Sequence, residues 1–182
     1  MFARRAALAL ALAAPAGCAW GLRAGPEVLA YTNGPVLVQG GVTGVLGFGS
    51  THRDGTVSDG IVTTVNLSAG GDVRGGGGAL SGAFGLAWFS LPEVRRLGWF
   101  AGAEVGGRGR GEGSFGPELL VGLRGGPHVR LLSRDAAGGR LVTLGFDLTA
   151  QAALPGGEGG HGAFVAGLAV TVGFMDVRYF HL

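Results

Sequence analysis

The sequence predicts an all-β chain: an antiparallel up-and-down sheet of eight strands, closed into a transmembrane β-barrel behind a secretory leader. Three observations carry this expectation. Apolar side chains recur at every second position, which is the period of a strand. The opposite parity is small, mostly Gly, Ala, Ser and Thr with isolated charges, and such a face suits the cramped inside of a barrel whose outside meets lipid. The longest apolar run beyond the leader, 163–175, contains a Thr and spans thirteen residues. A membrane helix needs about 20, so any bilayer-spanning elements must be strands.

The leader comes first. Arg4 and Arg5 precede the apolar run 6–14 and then Pro15, the charged and hydrophobic regions of a signal peptide. Cleavage fits after Ala16 or after Ala19. Residues 16–18 also resemble the lipobox of bacterial lipoproteins, which would make Cys18 a lipidation site, although Pro15 stands where an aliphatic residue is expected. The organisation expected is a signal peptide over 1–19, an N-terminal lead-in over 20–35 and a β-barrel domain over 36–182.

Composition narrows the function. Losing Arg4 and Arg5 leaves twelve basic residues against twelve acidic ones, so the exported chain is formally neutral and offers no footprint for nucleic acid. Every basic residue is Arg; without Lys there is no Walker A lysine and no Schiff base. Cys18 is the single cysteine, which excludes an internal disulfide and a cysteine zinc site. With 40 glycines, 14% charged residues and a mean hydropathy of +0.39, the chain is too apolar for disorder, and the glycines follow no collagen period.

Eight segments alternate, separated by Gly-rich or charged breaks. The first, 36–51, sets Val36, Val38, Val42, Leu46 and Phe48 against Gln39, Thr43 and Thr51. The second sets Ile61, Val65 and Leu67 against Thr64, Asn66 and Ser68, and the third sets Leu80, Phe84, Leu86 and Trp88 against Ser81, Ala83 and Gly85. After a connection at 91–96, the fourth places Leu97, Trp99, Ala101 and Val105 opposite Gly98, Gly102 and Glu104. A charged glycine run, 106–113, reads as a turn with rim arginines. Leu119, Val121 and Leu123 then oppose Glu118 and Arg124 in the fifth segment.

Gly125-Gly126-Pro127 has tight-turn chemistry and predicts a boundary before the short sixth segment, where Val129 and Leu131 oppose His128 and Arg130. The seventh, 141–152, alternates most cleanly: Val142, Leu144, Phe146 and Leu148 against Thr143, Gly145, Asp147 and Thr149. The eighth sets Phe164, Leu168, Val170, Val172 and Phe174 against Gly167, Thr171 and Gly173. Short connections make this a meander. The side chains expected to face lipid are Phe84, Trp88, Trp99, Phe146, Leu148, Phe164 and Leu168.

This pattern resembles the small outer-membrane barrels of Gram-negative bacteria, the OmpA-type and OmpX-type transmembrane domains, over nearly all of the chain beyond the leader. The resemblance is architectural and carries no residue-specific motif. It implies export to the bacterial outer membrane, outer-membrane lipids and lipopolysaccharide as surroundings, the barrel assembly machinery as a partner, no cofactor, and a structural, adhesive or narrow, porin-like channel role without catalysis. Phe180 and Leu182 match the spacing of such barrels' closing hydrophobic positions. Val177 stands where a Gly is usual, and Asp176 and Arg178 interrupt the outward parity. Either the last strand ends near Phe174 or its boundary lies elsewhere.

Six polar residues share the small face of the fourth to seventh segments: Glu104, Glu118, Arg124, His128, Arg130 and Asp147. A turn near Gly111 would make Glu104 and Glu118 cross-strand neighbours; one near Ala137 would set Asp147 opposite His128 and diagonal to Arg130. Buried charges persist only when paired, so an internal ion network is expected in preference to a carboxylate pair with a histidine base. None of His52, His128, His161 and His181 has a Ser two residues later, the spacing used by a lipid A deacylase, and their spacing suggests no metal site. Gly44, Gly47 and Gly49 lack the strand-to-helix context of a phosphate loop. Two other readings stay open: a secreted or lipid-anchored soluble β-sandwich that binds a ligand, and an outer-membrane lipid-modifying enzyme.

Overall fold

The computed structural model describes residues 17–32, 34–51, 57–74, 77–92, 97–111, 117–134, 140–156 and 162–177. These form β1 (Gly17–Tyr31), β2 (Val36–Thr51), β3 (Val57–Asp72), β4 (Gly78–Pro92), β5 (Leu97–Arg110), β6 (Glu118–Arg134), β7 (Arg140–Pro155) and β8 (Ala163–Val177). Each strand pairs antiparallel with its sequence neighbours, and β8 pairs with β1 to close the barrel. Closure leaves none of the eight strands at a sheet edge. It also rules out two stacked sheets, and the sandwich reading with them.

Eight strands result, but not the eight expected. The lead-in over 20–35 supplies most of β1, so the barrel begins at Gly17 and the 36–182 domain boundary falls one strand late. The predicted fifth and sixth segments are a single strand, β6. Gly125-Gly126-Pro127 runs through its middle and makes no turn. One strand missed and one divided in two restored the total. The leader residues 1–16, the connection at 93–96, His52, His161 and the tail 178–182 lie outside the described residues. The last strand continues past Phe174 to Val177.

The prolines explain both misreadings. Proline has no N–H to give a ladder and normally marks an edge or an irregularity. The β1–β8 ladder skips Gly25 and Pro26, and the β6–β7 ladder skips Gly126 and Pro127. In each case glycine lets the neighbouring backbone come close. A Cβ on Gly25 would collide with the Val170 carbonyl oxygen, and one on Gly126 with that of Phe146. Phe146 and Val170 are themselves cross-strand partners, so the two interruptions flank the β7–β8 hairpin at one level. A further shift in the β6–β7 register lies between Arg130 and Leu132, where β6 bulges.

The alternation sorts side chains as a barrel requires. Inside, two apolar clusters sit toward opposite ends. Ala19, Val45, Val62, Phe89, Phe100, Leu141 and Met175 pack toward the end where β1 starts and β8 finishes. Leu29, Tyr31, Leu37, Leu120 and Val165 pack toward the other. Polar and charged side chains fill the lumen between them.

Two glycine substitutions test this wall. Gly25→Ala should lower the unfolding midpoint, by about 1 to 3 kcal/mol for forced overpacking, because its methyl meets backbone. Gly40→Ala, where an added Cβ meets nothing within 4 Å, should leave stability within about 0.5 kcal/mol. Equal midpoints by denaturant titration would contradict the close approach at Gly25.

Candidate functional site

The lumen is the place where chemistry-bearing side chains converge, and β1 organises it. Arg23, Glu27 and Tyr31 stand four residues apart on its inner face, and each joins a different polar layer.

In the first layer the Arg23 guanidinium forms an ion pair with Asp147 of β7, and its Nη2 donates to Thr171 Oγ1 of β8 at 2.9 Å. His128 Nε2 of β6 lies 3.1 Å from Asp147 Oδ1 and 3.1 Å from Arg23 Nη2. One ring nitrogen serves one of them at a time, as donor to the carboxylate or acceptor from the guanidinium. The guanidinium carbon also lies 4.7 Å from the centre of the Phe100 ring, within cation–π range. Arg23, His128 and Asp147 are 3%, 4% and 1% exposed, so this cluster is sealed from both solvent and the barrel exterior.

The second layer crosses the lumen. Arg124 Nη2 of β6 donates to Glu27 Oε1 at 2.5 Å, and Thr149 Oγ1 donates to the same oxygen at 3.1 Å. Gln39 Nε2 of β2 donates to Glu27 Oε2 at 2.8 Å. Glu104 Oε1 of β5 accepts from Gln151 Nε2 at 2.5 Å and has Arg124 Nε at 3.5 Å. In the third layer Tyr31 donates its hydroxyl proton to Glu118 Oε2 at 2.8 Å and accepts from Arg108 of β5. Each of these buried charges meets an opposite charge or a hydrogen-bond partner of the right sense, the condition under which burial is tolerable.

Of the six residues expected in this network, Glu104, Arg124, His128 and Asp147 line the lumen together, and Glu118 joins from its loop-side end. Arg130 is half-buried beside the β6 bulge and pairs with Thr143 in the ladder. Glu104 and Glu118 are not cross-strand neighbours: Glu104 faces Gly122, and Glu118 faces Arg108. Gly106 to Arg110 is strand, not turn, which moves the Gly111-centred register by four residues. Asp147 sits two residues beyond the partner of His128, which is Gly145, and reaches it diagonally.

Arg23, Glu27, Tyr31 and Gln39 did not figure in the expected network, and Arg108, expected on a rim, is 3% exposed inside. The signal for β1 was present. Trp20, Leu22 and Val28 share one parity and Arg23, Glu27 and Tyr31 the other, but Pro26 and the small outward Ala24 and Ala30 interrupt the pattern. Phe84, Trp88, Trp99, Phe146, Leu148, Phe164 and Leu168 all lie on the outer surface. The backbone of Cys18 belongs to β1, paired with Phe48.

Asp147→Ala should destabilise the barrel by about 3 to 5 kcal/mol, because it strands a buried guanidinium. The double variant Arg23→Met/Asp147→Leu should recover much of that loss. Denaturant titration followed by tryptophan fluorescence measures both, and a double variant as weak as the sum of the single ones would show that Arg23 and Asp147 do not act as a pair.

Neither a protein-family model nor a curated protein sequence matches this chain. Among solved structures it is similar to the Neisserial surface protein A, NspA, with a TM-score of 0.53 at 8% identity over 88% of this chain and 97% of that one. The translocator domain of the autotransporter NalP from Neisseria meningitidis matches more loosely, with a TM-score of 0.40 at 10% identity over 98% of this chain and 96% of that one. At such identity the likeness to NspA speaks to fold alone: the chain is a small, closed, eight-stranded antiparallel barrel.

Proposed function

We propose that this chain is an exported outer-membrane barrel of the Gram-negative envelope, acting as a non-conducting, non-enzymatic scaffold with a structural or adhesive role. The observation that carries this reading is the separation of charge across the wall. Among the described residues, every charged strand side chain whose surroundings are described is buried or half-buried, and Arg74, in the β3–β4 turn, is exposed. The outer face meanwhile presents Val38, Leu46, Phe48, Leu67, Phe84, Leu86, Leu148, Phe164 and Leu168, an apolar surface that water does not favour.

The height of this band also fits. From Val38 to Phe48 on β2, or Phe164 to Phe174 on β8, the chain climbs ten residues; at about 3.3 Å each and a tilt near 40° that is about 25 Å, the height of the apolar band on outer-membrane barrels. Trp20, Trp88 and Trp99 are the three tryptophans of the chain, and all lie on the outside, 45%, 46% and 53% exposed, toward the end where β1 starts. Indole rings favour the membrane–water boundary, so this end marks one interface. Outer-membrane lipids and lipopolysaccharide would then surround the wall, and the barrel assembly machinery would insert it.

The filled lumen favours a scaffold over a channel or an enzyme. Apolar clusters cap a polar band, and the interior pockets lined by Thr43, Thr64 and Phe100 and by Gln39, Ser68 and Arg108 measure about 10 Å³ each. His128 and Asp147 are 4% and 1% exposed, which does not favour contact with a substrate.

Membrane fractionation with a heat-modifiability gel tests the reading. The protein should partition with outer membranes, need detergent for extraction and migrate differently before and after boiling; a folded monomer in detergent-free water would overturn it. Discrete openings in a planar bilayer would replace the scaffold with a channel. Within lipid, Leu168→Arg should cost about 2 to 4 kcal/mol, with the cost falling toward zero for Val38→Arg near the strand end. A uniform cost would indicate a surface buried against protein.

A further inference from the structure

We propose that the lumen contains a binding site for one neutral water molecule, framed by Gln39, Ser68, Ser81, Arg108, Arg124 and Gln151. The site is an integral part of the polar core and does not depend on the membrane reading, since it follows from the lumen alone.

The first support is supply and demand. Three buried polar atoms on residues lining this pocket have no partner in the protein, the acceptors Gln39 Oε1 and Gln151 Oε1 and the donor Arg108 Nε; a fourth, Arg124 Nε, has only the long ion-pair contact to Glu104 Oε1 at 3.5 Å and no hydrogen bond. Gln39, Gln151 and Arg108 are 3%, 4% and 3% exposed, so bulk solvent does not serve them. Buried polar groups left without partners are costly and in native proteins are met by protein or by ordered water. The pocket they share measures about 10 Å³, room for the centre of one water.

The second support is that the amide orientations are determined. Gln39 Nε2 donates to Glu27 Oε2 at 2.8 Å, and Gln151 Nε2 donates to Glu104 Oε1 at 2.5 Å. Both carboxylates also face Arg124. Turning either amide around would set its oxygen against a carboxylate oxygen. Each Gln oxygen is therefore left for a donor other than the protein.

The identity of the ligand follows from the same four atoms. An anion would face two amide oxygens, and a cation would face two guanidinium groups. Water donates two hydrogen bonds and accepts up to two, which matches the two free amide oxygens and the Arg108 Nε donor, with a place left for Arg124 Nε. Bound there, it joins the Glu27–Arg124–Glu104 layer to the Arg108–Tyr31–Glu118 layer and makes the polar core continuous. The hydroxyls of Ser68 and Ser81, 2.7 Å apart and bonded to each other, form part of its wall.

Crystals of the full chain in detergent, grown in parallel with bromide and with rubidium, test the site at high resolution. The expected result is one ordered water within hydrogen-bond distance of Gln39 Oε1 and Gln151 Oε1, with no anomalous signal in either salt. An anomalous bromide or rubidium peak would make this an ion site and overturn the proposal, as would the absence of any peak. In solution, NMR magnetisation transfer from a long-lived water to the side-chain amides of Gln39 and Gln151 is expected in detergent micelles. Failure to detect it, with those amide signals assigned, would also overturn the proposal.

Discussion

The hydrogen-bonded ion pair between Glu27 of β1 and Arg124 of β6 is the interaction on which the interior depends. The two strands stand on opposite sides of the wall, and their side chains meet in the middle of the lumen at 2.5 Å. A closed sheet of eight strands leaves an interior just wide enough for side chains to fill. Once the sheet closes, a charge that points inward has no water to return to. It must find its counterion across the lumen or raise the energy of the whole fold.

That constraint makes β1 the organising strand. Its inner face offers a cation, an anion and a phenol in turn, and strands that do not pair with it answer each one: Asp147 of β7 for Arg23, Arg124 of β6 for Glu27, and Glu118 of β6 with Arg108 of β5 for Tyr31. The same strand closes the barrel by pairing with β8 on one side and β2 on the other. Closure and charge neutralisation are therefore achieved by one element. The partner strands contribute the shorter groups, Thr149, Thr171 and Gln39, that occupy remaining acceptor sites.

The packing also connects to function. Among the described residues the polar lining pairs with itself across the axis between two apolar clusters, and the proposed scaffold reading rests on that arrangement. Such an interior stiffens a wall whose outer face has only to be apolar. What distinguishes one small barrel from another then lies in the segments that join the strands, in keeping with the general tendency of rigid scaffolds to carry recognition on their loops. The Gly-Pro pairs in β1 and β6 show how much irregularity the wall accepts: each interrupts one ladder beside the β7–β8 hairpin, and glycine supplies the close backbone approach that accommodates it.

Read alone, the sequence determined the architecture, because a period of two with one apolar and one small parity is a local property of each strand, visible without knowing any partner. It placed Val142 to Leu148 and Phe164 to Phe174 on the outer wall and recognised five of the lumen residues by their parity. Tertiary structure decided the count and the register. Gly125-Gly126-Pro127 carries the local chemistry of a turn, yet its pairing with β5 holds it extended; residues 20–31 look broken at Pro26, yet closure requires a strand there, and pairing with β2 carries the chain through. Register then decided the partners. Glu104 could not be matched to Gly122, nor Arg23 to Asp147, from spacing, because pairing across a lumen depends on how far each strand slides along its neighbours, and that offset accumulates around the wall and is set only when β8 meets β1.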